Sequence, residues 1–122
     1  FQTPETPNIL AIFLLSRVLD DMIRIGKDRI IRETNYKSSL LYNTIKQSNL
    51  LKEYIENKSI QSKTVIVADT KKDSDYFIEN LGRKNLIIGK GYGSTNNQIR
   101  IANFPSHSKE SIELLCDELT KL

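Results

Sequence analysis

From Pro7 to Gln47 the sequence has helical periodicity that is interrupted only at Gly26. Thr6 followed by Pro7 is typical of a helix start, because threonine accepts from a free amide and proline lacks an amide that would have no partner. Thr3–Pro4 offers the same signal one turn earlier. We therefore predict a first helix that ends at Gly26 and is buried on several sides, since its apolar positions extend around the axis: Ile9, Leu10, Ile12, Phe13, Leu14, Leu15, Val18, Leu19 and Ile23.

A second amphipathic helix is predicted from about Asp28 to Gln47. Its inner face is expected to carry six apolar or aromatic residues: Ile30, Ile31, Tyr36, Leu40, Leu41 and Ile45. Two helices therefore precede any strand candidate.

The rest of the chain alternates short β-type runs with helical segments. In chain order these are a strand at Ser62–Asp69, a helix at Asp73–Leu81, strands at Asn85–Ile88 and Gln98–Phe104, and a helix at Ser108–Leu122. The order α-α-β-α-β-β-α predicts one α+β domain over residues 1–122, with a small mixed or antiparallel sheet and helices packed on one face. The last helix is expected to bury Ile112, Leu115, Cys116 and Leu119.

Composition limits the classes of partner. The net charge of +3 is spread along the chain, and the short pairs Lys71–Lys72 and Arg83–Lys84 do not form the basic stripe of a nucleic-acid site. The longest apolar run, Ile9–Leu15, is far shorter than the roughly 20 residues of a membrane span. The single Cys116 excludes an internal disulfide and favours a reducing, cytoplasmic setting. The absence of an initial methionine favours a fragment of a longer protein.

The glycine-rich segment Gly89–Gly93 has the spacing G-x-G-x-G and is followed by a predicted strand. The dinucleotide fingerprint requires G-x-G-x-x-G between a strand and a helix, because the helix N-terminus receives the phosphate. We therefore predict a turn in which the glycines adopt positive φ, and no nucleotide site.

Most of the chemically active residue types do not form a catalytic or metal-binding pattern. His107 is the only histidine and lies in the predicted cap region of the last helix, and Cys116 lies on an apolar stripe. Asp20, Asp21 and Glu118 are typical of solvated helix faces. No catalytic residue and no metal ligand is predicted in this chain.

Arg100 differs because it lies inside the strand Gln98–Phe104. Alternation places Arg100 on the face opposite Ile99 and Ile101. A planar guanidinium on a rigid strand suits two-point binding of a carboxylate, although an exposed or ion-paired strand arginine would give the same pattern.

Two segments resemble the phosphoserine aminotransferase family. Gln2-Thr3-Pro4-Glu5-Thr6-Pro7 resembles the Asn-Thr-Pro-Pro-Thr segment that begins the small domain in that family. Gly91-Tyr92-Gly93 followed by Gln98–Pro105 resembles its glycine-then-arginine strand. The resemblance implies the C-terminal small domain of a fold type I, class V, pyridoxal-phosphate-dependent aminotransferase that acts as a homodimer on small amino and 2-oxo acids.

The resemblance also implies roles for individual residues. Arg100 would bind the substrate carboxylate, and Thr3 and Gln2 would contact the cofactor phosphate of the neighbouring subunit. The lysine that holds the cofactor would lie in a large domain upstream, so the isolated chain is expected to be inactive. The family's phosphate-binding histidine is absent between Lys90 and Gln98. Lys90 is the candidate to supply the positive charge in its place.

Two further interpretations remain open. In the first, the parent protein is a class V aminotransferase with a different amino donor. In the second, the chain is a non-catalytic module that binds amino acids or has a regulatory role.

Overall fold

The computed structural model describes residues 6–92 and 96–122. Within them four strands form an antiparallel sheet, which confirms an α+β fold; their order across the sheet is Leu51–Glu53, Val65–Thr70, Gln98–Ala102 and Gly89–Lys90. The chain divides into two compact units, one ending at Arg32 and the other spanning Glu33–Leu122. The elements are α1 (Ile9–Ile25), α2 (Lys27–Gln47), β1 (Leu51–Glu53), a 3-10 turn (Lys58–Ile60), β2 (Val65–Thr70), α3 (Ser74–Gly82), β3 (Gly89–Lys90), β4 (Gln98–Ala102) and α4 (Lys109–Thr120).

Helix α1 begins two residues later than the Thr6–Pro7 signal predicts. Asn8 is the N-cap, and its side chain accepts a hydrogen bond from the Ala11 amide at 3.0 Å. The predicted end is confirmed: Gly26 has a φ of 92° and its amide donates to the Met22 carbonyl at 3.0 Å. Such a positive φ suits glycine, which lacks a Cβ.

The prediction that α1 is buried on several sides is wrong for this chain, because none of its residues is buried. Leu19, Met22 and Ile23 line an open apolar groove together with Ile30 and Ile31. Periodicity reports which residues favour burial, but burial itself requires a second surface. Among the described residues of the unit that ends at Arg32, no element covers α1 on all its apolar sides.

Helix α2 packs on the sheet through its second half. Leu41 and Ile45 are fully buried as predicted, whereas Ile31 and Tyr36 are exposed, so the predicted inner face is partly wrong. Ile31 precedes the part of the helix in the second unit, and Tyr36 lies off the buried stripe. That stripe includes three polar residues that apolar periodicity does not reveal: Lys37, Ser38 and Thr44.

The two faces of the sheet have different environments. Strands β2 and β4 pair in the register Val65↔Ala102 to Asp69↔Gln98, which places Ile66 and Ala68 beside Ile101 and Ile99 on one face. These four side chains are buried in a core with residues of the three helices: Leu41, Ile45, Phe77, Leu81, Ile112, Leu115, Cys116 and Leu119. The opposite face is half-buried, as its alternating burial pattern shows.

The predicted strand Asn85–Ile88 is wrong. Asn85 has a φ of 59°, its amide donates to the Gly82 carbonyl, and the Leu86 amide donates to the Leu81 carbonyl. These bonds terminate α3, so the chain pairs with β4 only from Gly89. The short edge strand β1 was not predicted, because three residues are too few to show a period of two.

Helices α3 and α4 agree with the predictions. Asp73 caps α3 and Ser108 caps α4, each through a side-chain oxygen that accepts from a main-chain amide. The predicted buried stripe of α4 is confirmed at all four positions. Burial raises the pKa of the Cys116 thiol, as expected of a structural cysteine.

Glu118 was predicted to lie on a solvated face, and it is instead buried. Its carboxylate pairs with the ammonium groups of Lys84 and Lys121. The pairing explains the error, since a carboxylate is buried in a folded protein when cations compensate its charge. No helix among the described residues is both long enough and apolar enough to cross a lipid bilayer.

Candidate carboxylate-binding site

Arg100 lies in the middle of β4 on the half-buried face of the sheet, opposite Ile99 and Ile101, as the alternation predicted. Val67 on β2 and Gly89 on β3 are its cross-strand neighbours. The residue is thus held between two paired strands, which fix its main chain.

Gly89 and Tyr92 form the surroundings of the guanidinium. A Cβ built on Gly89 would lie 3.3 Å from Nη2 and 3.5 Å from Nε of Arg100, so glycine permits the close approach. The Tyr92 ring centroid lies 4.7 Å from Cζ, within the range of a cation–π contact. Both contacts orient a side chain that has many rotamers.

The guanidinium makes no hydrogen bond or ion pair with any residue in the described part of the chain. Asp69 on β2 lies on the same face of the sheet, and its carboxylate accepts from Gln98 Nε2 at 2.8 Å. The described residues therefore present an oriented cation without a hydrogen-bonding partner among them, which suits an incoming carboxylate.

The glycine-rich segment differs from its predicted form. Gly26 is the glycine with positive φ among the described residues, so Gly89 and Gly91 do not supply the predicted positive φ. Gly91 is required for close approach instead: an added Cβ would lie 2.4 Å from Gln98 Cβ and 2.6 Å from its Oε1. Gly93 lies outside the described residues. The segment leads into β4 and not into a helix, as predicted.

Lys90 is engaged by Asp75. Its ammonium lies 2.8 Å and 2.9 Å from the two carboxylate oxygens, and this hydrogen bond raises the pKa of Lys90. Lys90 was the candidate to replace the family's phosphate-binding histidine. Its partner argues against that role, because a substrate phosphate would have to displace Asp75.

The other residues considered from sequence do not converge on Arg100. His107 is exposed and its ring stacks on Phe104 with centroids 6.2 Å apart. Asp20 and Asp21 are exposed and pair with Arg17 and Arg24. Within residues 6–92 and 96–122, no group of three His, Cys, Asp or Glu side chains could hold a metal ion. Gln2 and Thr3 lie outside the described residues.

Lys37 is a buried residue that sequence reasoning missed. Its ammonium donates to the carbonyl oxygens of Phe104, at 3.0 Å, and His107, at 2.6 Å. Burial lowers the pKa of Lys37, although the charge of Glu33 opposes this effect. A buried lysine with a lowered pKa is a common catalytic amine. Here both bonds hold the β4–α4 connection, so we assign Lys37 a structural role.

This role predicts a pH dependence of stability. Just below the ordinary lysine pKa of about 10.4, the unfolded chain binds more protons at this lysine than the folded chain does, so stability should rise with pH. We expect the free energy of unfolding of the wild type to increase relative to Lys37→Met as the pH rises toward about 10.4, the ordinary lysine pKa. Urea unfolding of both proteins measures it. Exposed Lys63→Met is the control, and an unchanged difference over this rise in pH contradicts the prediction.

No family model and no curated protein matches the chain. A solved alanine–glyoxylate aminotransferase from Nostoc sp. has the same fold, with a TM-score of 0.75 and 19% identity, over 98% of this chain and 33% of the other. The domain therefore has the fold found in an aminotransferase.

A second solved structure is much more similar in sequence. A phosphoserine aminotransferase from Cytophaga hutchinsonii is 40% identical, with a TM-score of 0.92, over 98% of this chain. The chain spans about a third of that protein, or 34% of its length. The predicted resemblance to the C-terminal domain of a phosphoserine aminotransferase-like, class V aminotransferase is thereby confirmed.

Proposed function

We propose that this chain is the C-terminal domain of a pyridoxal-phosphate-dependent aminotransferase, and that Arg100 binds the substrate carboxylate. One observation carries the proposal: Arg100 is half-buried, and its guanidinium is oriented by Gly89 and Tyr92 and unpaired among the described residues. The 40% identity to a phosphoserine aminotransferase supports the reaction class. The proposed reaction converts phosphoserine and 2-oxoglutarate into 3-phosphohydroxypyruvate and glutamate.

The chemistry of amino transfer favours an arginine at this place. The amino donor and the oxo-acid acceptor differ in their side chains but share the carboxylate next to the reacting carbon. A bidentate guanidinium can bind that shared group in both half-reactions. Because β4 fixes the main chain of Arg100, the carboxylate would be held at a constant position relative to the reacting carbon.

The cofactor would supply the electron sink that the side chains of the protein lack. We propose that Thr3 and Gln2 donate to its phosphate across the interface of a homodimer, since hydroxyl and amide groups are both donors. Lys37 is the buried lysine of the described part, and its ammonium is bound to two carbonyl oxygens. We therefore propose that the lysine that holds the cofactor belongs to a large domain outside this chain.

A second candidate is a class V aminotransferase whose amino donor carries no phosphate. The pairing of Lys90 with Asp75 favours it, because the candidate replacement for the phosphate-binding histidine is already engaged. Phosphoserine remains the amino donor that we propose first, because the chain is 40% identical to the phosphoserine aminotransferase from Cytophaga hutchinsonii.

A substrate panel on the full-length, cofactor-loaded protein decides between these donors. Phosphoserine, serine and alanine are each offered with 2-oxoglutarate, and glutamate formation is measured. We expect kcat/KM to be highest for phosphoserine. A preference for alanine or serine would support the second candidate. Absence of transfer from every donor, by a protein that retains its cofactor, would contradict the aminotransferase proposal and favour a binding or regulatory module.

A further inference from the structure

The half-buried face of the sheet places a carboxylate within reach of Arg100. Asp69 on β2 lies opposite Gln98 on β4, and Val67 lies opposite Arg100. Asp69 and Arg100 are therefore diagonal neighbours, roughly 7–8 Å apart, a separation that long side chains can bridge. An arginine and an aspartate so placed would be expected to form an ion pair.

Gln98 binds this carboxylate instead. Its Nε2 donates to Asp69 Oδ1 at 2.8 Å, which satisfies the carboxylate with a neutral group. The other cross-strand neighbour of Asp69 is Lys52, whose ammonium lies 2.7 Å from Glu56. Gln98 is thus the residue whose hydrogen bond holds Asp69.

Packing fixes the conformation of Gln98. Its side chain lies against the main chain of Gly91, where a Cβ would come within 2.4 Å of Gln98 Cβ and 2.6 Å of Oε1. The Gly91 amide donates to the Gln98 carbonyl at 2.9 Å, which holds the two residues in register. Tyr92, the residue after Gly91, contacts the guanidinium itself. One short segment thus orients both Gln98 and Arg100.

We propose that Gln98 is a positioning residue that holds Asp69 and so keeps Arg100 free for the substrate carboxylate. The inference rests on the role proposed above for Arg100. Without the amide of Gln98, the Asp69 carboxylate turns toward Arg100 and competes with the substrate. Competition of this kind weakens substrate binding and leaves the subsequent chemistry unchanged, so it acts on KM and not on kcat.

The test uses Gln98→Met, which keeps the length of the side chain and removes the donor. In NMR spectra of this chain, we expect the Nε–H signal of Arg100 to shift as the ion pair with Asp69 forms. In the full-length protein, KM for both glutamate and phosphoserine should rise by the same factor, roughly tenfold, at constant kcat. The double variant Gln98→Met/Asp69→Asn should restore the NMR signal and both KM values, because the competing charge is gone.

Gln61→Met is the matched control. Gln61 also donates to a carboxylate, that of Glu53 at 3.1 Å, but Glu53 lies on the opposite face of the sheet from Arg100. The Gln61→Met variant should therefore leave the Arg100 signal and both KM values unchanged.

The outcomes separate this inference from the proposed function. An unshifted Arg100 signal in Gln98→Met, or a KM increase that Asp69→Asn fails to reverse, overturns the inference. A different result separates the two proposals: the NMR shift and its reversal are observed, but the full-length protein transfers no amino group. In that case the proposed function is wrong, whereas the role of Gln98 in binding Asp69 is supported.

Discussion

Replacing Arg100 by lysine is expected to lower kcat/KM of the full-length protein for its amino donor by about two orders of magnitude. Lysine keeps the charge but loses the planar pair of N–H groups, and it cannot stack on Tyr92 in the same way. Loss of a charge-assisted, two-point contact worth about 3 kcal/mol accounts for this factor. Steady-state kinetics with donor and acceptor varied in turn measure it, and both substrates should be affected.

Thermal unfolding of the same variant distinguishes a binding role from a structural one. Arg100 forms no ion pair among the described residues, so its replacement should change stability little. Arg83→Lys is the matched control, since Arg83 is exposed at the end of α3. Near-normal kinetics together with a large fall in Tm would show that Arg100 only stabilises the sheet.

Replacing Gly91 by alanine is expected to destabilise the chain by about 1–3 kcal/mol, the usual cost of inserting a methyl group into a filled space. The new Cβ would lie 2.4 Å from Gln98 Cβ, an atom next to the main chain of β4 that cannot move aside by a side-chain rotation. Either the pairing of residues 89–91 with β4 opens or Gln98 leaves Asp69. Urea unfolding of this chain measures the loss.

Replacing Gly82 by alanine makes the same chemical change, but we expect it to raise the free energy of unfolding instead of lowering it. Gly82 ends α3, and a Cβ there would meet no atom within 4 Å. Alanine should stabilise the chain by roughly 0.5–1 kcal/mol, because it restricts the unfolded state and favours the helix. If both variants changed the free energy of unfolding alike, close packing would not be the reason for glycine at position 91.

Local signals in the sequence predicted the elements whose residues interact mainly with near neighbours. The end of α1 at Gly26 and the start of α4 at the Ser108 cap follow from bonds over a few residues, and both are confirmed. Alternation in β4 predicted the face on which Arg100 lies, because the period of a strand is a property of the local main chain.

Contacts between distant parts of the chain decided what the sequence did not predict. The buried position of Lys37 depends on carbonyls that lie 67 and 70 residues away, and that of Glu118 on Lys84, 34 residues away. Local periodicity contains no information about such partners, and it therefore assigns charged residues to solvent.

The candidate site shows the same division. The residue type and strand position of Arg100 were evident from the sequence alone, together with the resemblance that gives the residue a role. We propose that its guanidinium stays unpaired among the described residues because Gln98 binds Asp69. Its orientation depends on the close approach of Gly89 and Tyr92. Only the pairing of β2, β3 and β4 brings these groups together, because register across strands is set by tertiary packing.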